Sequence, residues 1–216
     1  MKKIFICLSV ALMGLAMAVS CCDKQEAEST VNKADIALEA IMQRKSVRSY
    51  TGDTIPTDVI EKLVRAAVAA PSGMDVRPWH IVVMTDKSQY ETAFAGNFNM
   101  EKFMQAGAVF VFCADTTVTR PPRENPDAPA VTSPNPIWRD DMGACTENFL
   151  VAVEACGLGA VWTACYPFPD RMGPIAEYLN LPGNIVPYSI VPVGYPAGDN
   201  QPKDKWDESR IHYNKW

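Results

Sequence analysis

The stretch Ala108-Val109-Phe110-Val111-Phe112-Cys113-Ala114 constrains the fold more than any other, because it reads as a strand whose unbroken apolar run implies burial on both faces. Such a strand needs helical layers above and below it. Trp79 to Met84 is a second strand by its β-branched content, and Val161 to Tyr166 and Tyr188 to Val193 supply two more buried ones. Helices are read from period. Ile36, Ala40 and Ile41 recur at helical spacing, and the helix they imply delivers Arg44-Lys45-Ser46-Val47-Arg48 at its C-terminal end. A second helix starts at Pro56-Thr57, carries Val59, Ile60, Leu63, Val64 and Ala67 on one face, and is closed by Pro71. A short helix spans Asn99 to Ala106. The spacing of Met142, Cys145, Phe149 and Val153 predicts a long central helix over Ile137 to Ala155. Thr116 to Pro136 holds six prolines and little apolar period, so a long irregular excursion is expected there. The order of elements suits a sheet covered on both faces by helices, and no internal repeat is visible.

The N-terminus obeys different rules. Lys2 and Lys3 precede an apolar run from Ile4 to Val19 that ends in small residues before Cys21, the pattern of a signal peptide. Small residues ahead of a cysteine resemble a bacterial lipobox. Cys21 is then the expected lipidated residue, with Cys22 as the alternative acceptor and a buried N-terminal helix as the bland reading. The expected layout is a signal peptide at 1–20, a lipid-anchored tether at 21–36 and one domain at 37–216, with regular structure beginning near Asp35. The location implied is the bacterial cell envelope, on the periplasmic or surface side of a membrane. A chain of 216 residues, 48% hydrophobic and 21% charged, is long enough for one sizeable core. Its net charge of -5 gives no electrostatic reason to expect nucleic acid. Cys113, Cys145, Cys156 and Cys165 lie in apolar stretches without CxxC or zinc spacing, so buried free thiols are expected and no metal site.

Two basic clusters carry the chemical signal. Arg44-Lys45-Ser46-Val47-Arg48 opens the domain and Pro202-Lys203-Asp204-Lys205 lies near its end, and folding could bring both to one phosphate dianion. Taken alone, each reads as a solvated charge run. Other chemistries find little support. Gly157-x-Gly159 lacks the third glycine of a dinucleotide fingerprint and precedes a strand; no P-loop or Gly-x-Ser-x-Gly occurs. His80 and His212 are the only histidines; His80 is expected as a packed strand residue, and neither has metal-ligand company.

An Arg-x-Ser-x-Arg segment followed by Ala70-Pro71-Ser72 and Pro78-Trp79 resembles the nitroreductase family. The resemblance continues through Asn99 and Lys102, Gly157-Leu158-Gly159-Ala160-Val161-Trp162, Val193-Gly194-Tyr195-Pro196 and the Lys203-Asp204-Lys205 cluster, covering about residues 37–216. It implies an α+β fold, three-layered (α/β/α), in which two subunits interlock as a homodimer with FMN at their interface. It also implies roles. Arg44, Lys45, Ser46 and Arg48 would grip the ribityl phosphate and pyrimidine edge, with Lys203 and Lys205 completing the phosphate site. Asn99 and Lys102 would face the pyrimidine end, where a cation stabilises the negative charge of the reduced ring. Pro71, Ser72 and Gly73 would lie along the isoalloxazine. Asp75 and Arg77 would come from the partner subunit. Trp162 and Thr163 would pass near N5.

No protein nucleophile is implied. NADH or NADPH would pass hydride to the flavin, and a nitroaromatic, quinone or similar electron-poor acceptor would take the electrons. The alternative is a flavin-carrying binding or electron-relay lipoprotein without free NAD(P)H turnover. A structural lipoprotein that has lost flavin is discouraged by the retained basic residues. Two positions depart from the family pattern: Asp75 and Arg77 stand where Asn and Gln are common, and Trp162-Thr163 differs from the familiar Glu-Gly near N5. Asp75 and Arg77 can pair with each other.

Overall fold

The computed structural model describes residues 32–95, 97 and 100–216. Helix α1 spans Lys33–Gln43, beginning inside the stretch expected as tether, and α2 spans Thr57–Val68. They are followed by β1 (Trp79–Met84), α3 (Tyr90–Ala93), α4 (Met100–Gln105) and β2 (Ala108–Asp115). A hairpin of β3 (Thr117–Arg120) and β4 (Val131–Pro134) leads to α5 (Trp138–Ala155). Then come β5 (Gly159–Ala160), β6 (Thr163–Ala164), α6 (Pro169–Tyr178) and β7 (Ile185–Gly194).

The main sheet runs β1-β2-β7-β5, with β6 also on β7, and every pairing is antiparallel. Strand β2 lies at its centre and is buried from Ala108 to Ala114. Its side chains divide with the pleat. Ala108, Phe110, Phe112 and Ala114 face a core built with α2 and α5, where Phe149 meets the rings of Phe110 and Phe112 at 4.6 and 5.1 Å. Val109, Val111 and Cys113 face a second core with Tyr90, Phe94, Phe103 and Ile175, from the α3, α4 and α6 side. Two apolar faces thus force two helical layers, giving the three-layer α+β architecture.

Two expectations about secondary structure are corrected. Residues 116–136 are not irregular throughout: Thr117–Arg120 pairs with Val131–Pro134. The six prolines stand at 121, 122, 126, 129, 134 and 136, in the turn or at the strand end, and the exposed hairpin has no buried face to print an apolar period. Of the strand expected over Val161–Tyr166 only Thr163–Ala164 is formed, and a separate short strand, Gly159–Ala160, precedes the expected range. Ala160 pairs with Val193 and Thr163 with Ile190, so the gap at Val161 and Trp162 falls opposite Pro192 and Val191. Pro192 has no N–H to offer a partner strand, and its carbonyl accepts the Tyr50 hydroxyl at 3.1 Å. The ladder therefore breaks there.

Two side chains also differ from expectation. His80 is exposed rather than packed: it stands near the start of the edge strand β1, and its face is covered only further along, at Val82 and Met84. Cys156 is exposed at the end of α5, whereas Cys113, Cys145 and Cys165 are buried free thiols. Burial pushes each of those three thiols up to about 12, which keeps them protonated and unreactive. Cys21 and Asn99 lie outside the described residues, as do the signal-peptide segment and most of the tether.

Candidate functional site

The basic segment after α1 is fixed by the sheet. Val47 is fully buried, donates its N–H to Ala160 O at 2.8 Å, and packs where any Cβ on Gly159 would approach within 2.7 Å. Thr51 N–H reaches Tyr195 O and Ala197 N–H reaches Ser49 O, so the segment also stitches to the chain leaving β7. Tyr50 locks the arrangement by donating to Val47 O at 2.8 Å; burial raises its hydroxyl pKa, with the Arg48 charge opposing. Ser46 and Arg48, on either side of the buried Val47, are exposed.

Of the first basic cluster, Arg44 alone reaches the second; Lys45, Ser46 and Arg48 do not line the cleft they share. Arg44 shares an open cleft of about 600 Å³ with Pro202, Lys203, Asp204, Lys205 and Trp206, across from Ile41 and Met42 at the end of α1. Two carboxylates on α5 hold the cations from behind. Arg44 Nε lies 2.9 Å from Glu147 and Lys45 Nζ 2.8 Å from Glu154. Sequence reasoning missed both acids. Their signal was available, because positions seven apart on a helix share a face.

The loop after α2 forms a second cluster. Gly73 N–H donates to Asp141 Oδ1 on α5 at 2.8 Å, and Ser72 Oγ accepts the Arg77 N–H at 3.0 Å. Asp75 and Arg77 pair through two hydrogen bonds of 2.6 and 2.5 Å. The Arg77 hydrogen bonds hold the Asp75 carboxyl below its ordinary range, and the guanidinium is raised in turn. Both residues line a separate cleft of about 430 Å³ with His80, Asp115 and Arg120. None of Arg44, Lys203 and Lys205 lines that cleft, so within one chain Asp75 and Arg77 stand apart from the phosphate-binding cations.

The remaining candidates sit on the sheet and its cover. Trp162 is half-buried against Tyr188, with ring centres 5.7 Å apart. Thr163 is 3% exposed on β6, and its hydroxyl is buried without a hydrogen-bond partner. Lys102 is half-buried on α4 beside the fully buried Phe103. Pro71 is exposed at the start of the loop that Gly73 docks on α5. Among the described residues no helix is long and apolar enough to cross a membrane.

Comparison with known proteins places this geometry. A solved structure from Bacteroides thetaiotaomicron VPI-5482, provisionally named NADH dehydrogenase/NAD(P)H nitroreductase, superposes with a TM-score of 0.73 at 39% identity, covering 83% of this chain and 98% of that one. A protein of the same provisional name from Methanothermobacter thermautotrophicus is 32% identical over 189 residues, 88% of this chain and 92% of that protein. The NADPH:FMN oxidoreductase of Vibrio harveyi, solved with NAD+, aligns at a TM-score of 0.69 and 25% identity over 84% of this chain and 78% of its own. The model of the nitroreductase family matches residues 41–95 and 87–195, and the chain belongs to that family.

Proposed function

We propose that the protein is an FMN-dependent oxidoreductase that takes hydride from NADH or NADPH and passes electrons to small electron-poor acceptors such as nitroaromatics and quinones. The observation that carries this reading is the convergence of Arg44 with Lys203 and Lys205 on one cleft. The donor set fits FMN. Arginine offers a planar fork and the lysines compact charges, which together suit a phosphate dianion. The unpartnered Thr163 hydroxyl supplies a polar group beside the expected N5 segment.

In this reading Arg44, Lys45, Ser46, Arg48, Lys203 and Lys205 bind the phosphate and pyrimidine edge. Pro71, Ser72 and Gly73 support one face of the ring. Lys102, with Asn99, stabilises negative charge at the pyrimidine end. When bound, FMN supplies the hydride chemistry at N5, so the chain needs no nucleophile or metal of its own. Its residues position the reactants and exclude water.

A homodimer belongs to the same proposal. Helix α1 buries no residue and exposes Ile36, Leu38, Ile41 and Met42, while the tail exposes Trp206, Tyr213 and Trp216. Apolar surface on two segments of one chain favours a second copy as its cover. The separate cleft of Asp75 and Arg77 then suits a contribution to the partner's flavin. The N-terminal reading rests on sequence: Lys2, Lys3, the apolar run and Cys21 support an exported lipoprotein with its domain at 37–216, anchored in the cell envelope. An absorption spectrum followed by anaerobic NADH addition tests the function; flavin that NADH fails to reduce would favour the relay alternative.

A further inference from the structure

We propose that Asp141 is a positioning residue that fixes the Pro71–Arg77 loop in its flavin-supporting conformation by accepting the Gly73 N–H. The inference rests on the reading of that loop as a support for the ring. Asp141 lies in the first turn of α5 and is 5% exposed. Its Oδ1 holds Gly73 from 68 residues away at 2.8 Å, while its Oδ2 is buried without a hydrogen-bond partner. A buried carboxylate oxygen left unsatisfied opposes folding. Stability alone therefore does not account for an acid here, and the loop it grips supplies another reason.

That loop has an unfavourable backbone. Met74, Asp75 and Arg77 have φ of 53°, 54° and 52°, in the left-handed region that non-glycine residues avoid. Such a run persists only where its surroundings over-determine it. Ser72 Oγ and the Asp75–Arg77 pair tie the loop to itself. Asp141 ties it to α5, and Ile137 closes the contact. A Cβ on Gly73 would lie 1.8 Å from Ile137 Cδ1, so the loop backbone rests directly on the start of that helix. The hydrogen bond and the glycine contact together fix the loop against the start of α5.

Asp141→Asn keeps an amide oxygen for Gly73 and removes the charge; Asp141→Ala keeps neither. Both are to be made in the full-length protein and compared by backbone amide exchange over residues 72–77 without flavin, and by FMN affinity and flavin absorption. We expect Asp141→Ala to speed exchange in the loop about tenfold, with α5 unchanged, and to weaken FMN binding by a similar factor. Asp141→Asn should match the wild type in both readouts. Unchanged loop exchange in Asp141→Ala overturns the clamp. An Asn variant whose loop exchanges faster than the wild type overturns the hydrogen-bond role, and because this arm compares only Asn with wild type it holds even where the Ala variant does not fold. Faster exchange with unaltered FMN binding and absorption would sink the flavin-facing reading of the loop while leaving the clamp standing.

Discussion

Arg44 and Glu147 meet at 2.9 Å on the flank of α5, and Lys45 meets Glu154 at 2.8 Å seven residues further along the same helix. The pairs orient both cations before an anion arrives, which lowers the ordering cost of binding. Arg44 has the more accessible carboxylate: the Glu147 side chain is 50% exposed against 18% for Glu154.

Arg44→Glu sets a second carboxylate beside Glu147 and replaces attraction to phosphate with repulsion. Losing one charge-assisted hydrogen bond to a partly buried phosphate costs roughly 1.5–3 kcal/mol, so FMN affinity should fall at least about tenfold. Equilibrium dialysis measures it. An unchanged dissociation constant would remove Arg44 from the phosphate site.

Lys205→Glu should weaken FMN binding more at low than at high salt, because Lys205 is exposed and its field is screened. Dissociation constants at two ionic strengths check this. Wild-type affinity at low salt would mean that the tail's cations take no part.

Gly73→Ala should destabilise the fold by about 1–3 kcal/mol, since the new methyl group collides with Ile137 Cδ1 in a packed contact. Urea unfolding reads the loss. Ile137→Ala in the same chain should restore part of it, and purely additive effects would show that the two residues do not touch.

Asp115 gives a pH dependence. Burial raises its pKa, but hydrogen bonds from the Thr117 hydroxyl and N–H and from Asn184, with the nearby His80 charge, more than offset this and leave it below 3.8. A depressed carboxylate contributes its full stability above the unfolded value of 3.8 and loses it as pH falls through the lower folded value. The Thr117 amide resonance should therefore move with a midpoint below pH 3.8, and the movement should vanish in Asp115→Asn. A midpoint above that pH would contradict the assignment.

Cys21→Ser should abolish lipid labelling and membrane retention, because the thioether to diacylglycerol needs the thiol. Persistent labelling would shift the acceptor to Cys22 or remove the lipoprotein reading.

Most of the fold was legible because burial prints a period. The run Ala108–Ala114 has two apolar faces, and the strand, its two cores and the layers above and below follow from that. The breaks were harder. The gap at Val161–Trp162 arises from Pro192 on another strand, and exposed residues such as Thr119 and Val131 pair without a core to betray them. At the site, the two basic clusters could be suspected of meeting because phosphate demands opposite charge. Asp141 could not, since its partner is a backbone N–H that leaves no mark on the sequence.

The central claim is best tested by recording the absorption spectrum of the purified full-length protein and then titrating it with NADH without oxygen. The account predicts a yellow protein whose flavin absorption bleaches in proportion to the NADH added and returns on mixing with a quinone. A colourless protein that takes up no added FMN, with Arg44→Glu indistinguishable from it, would contradict the account.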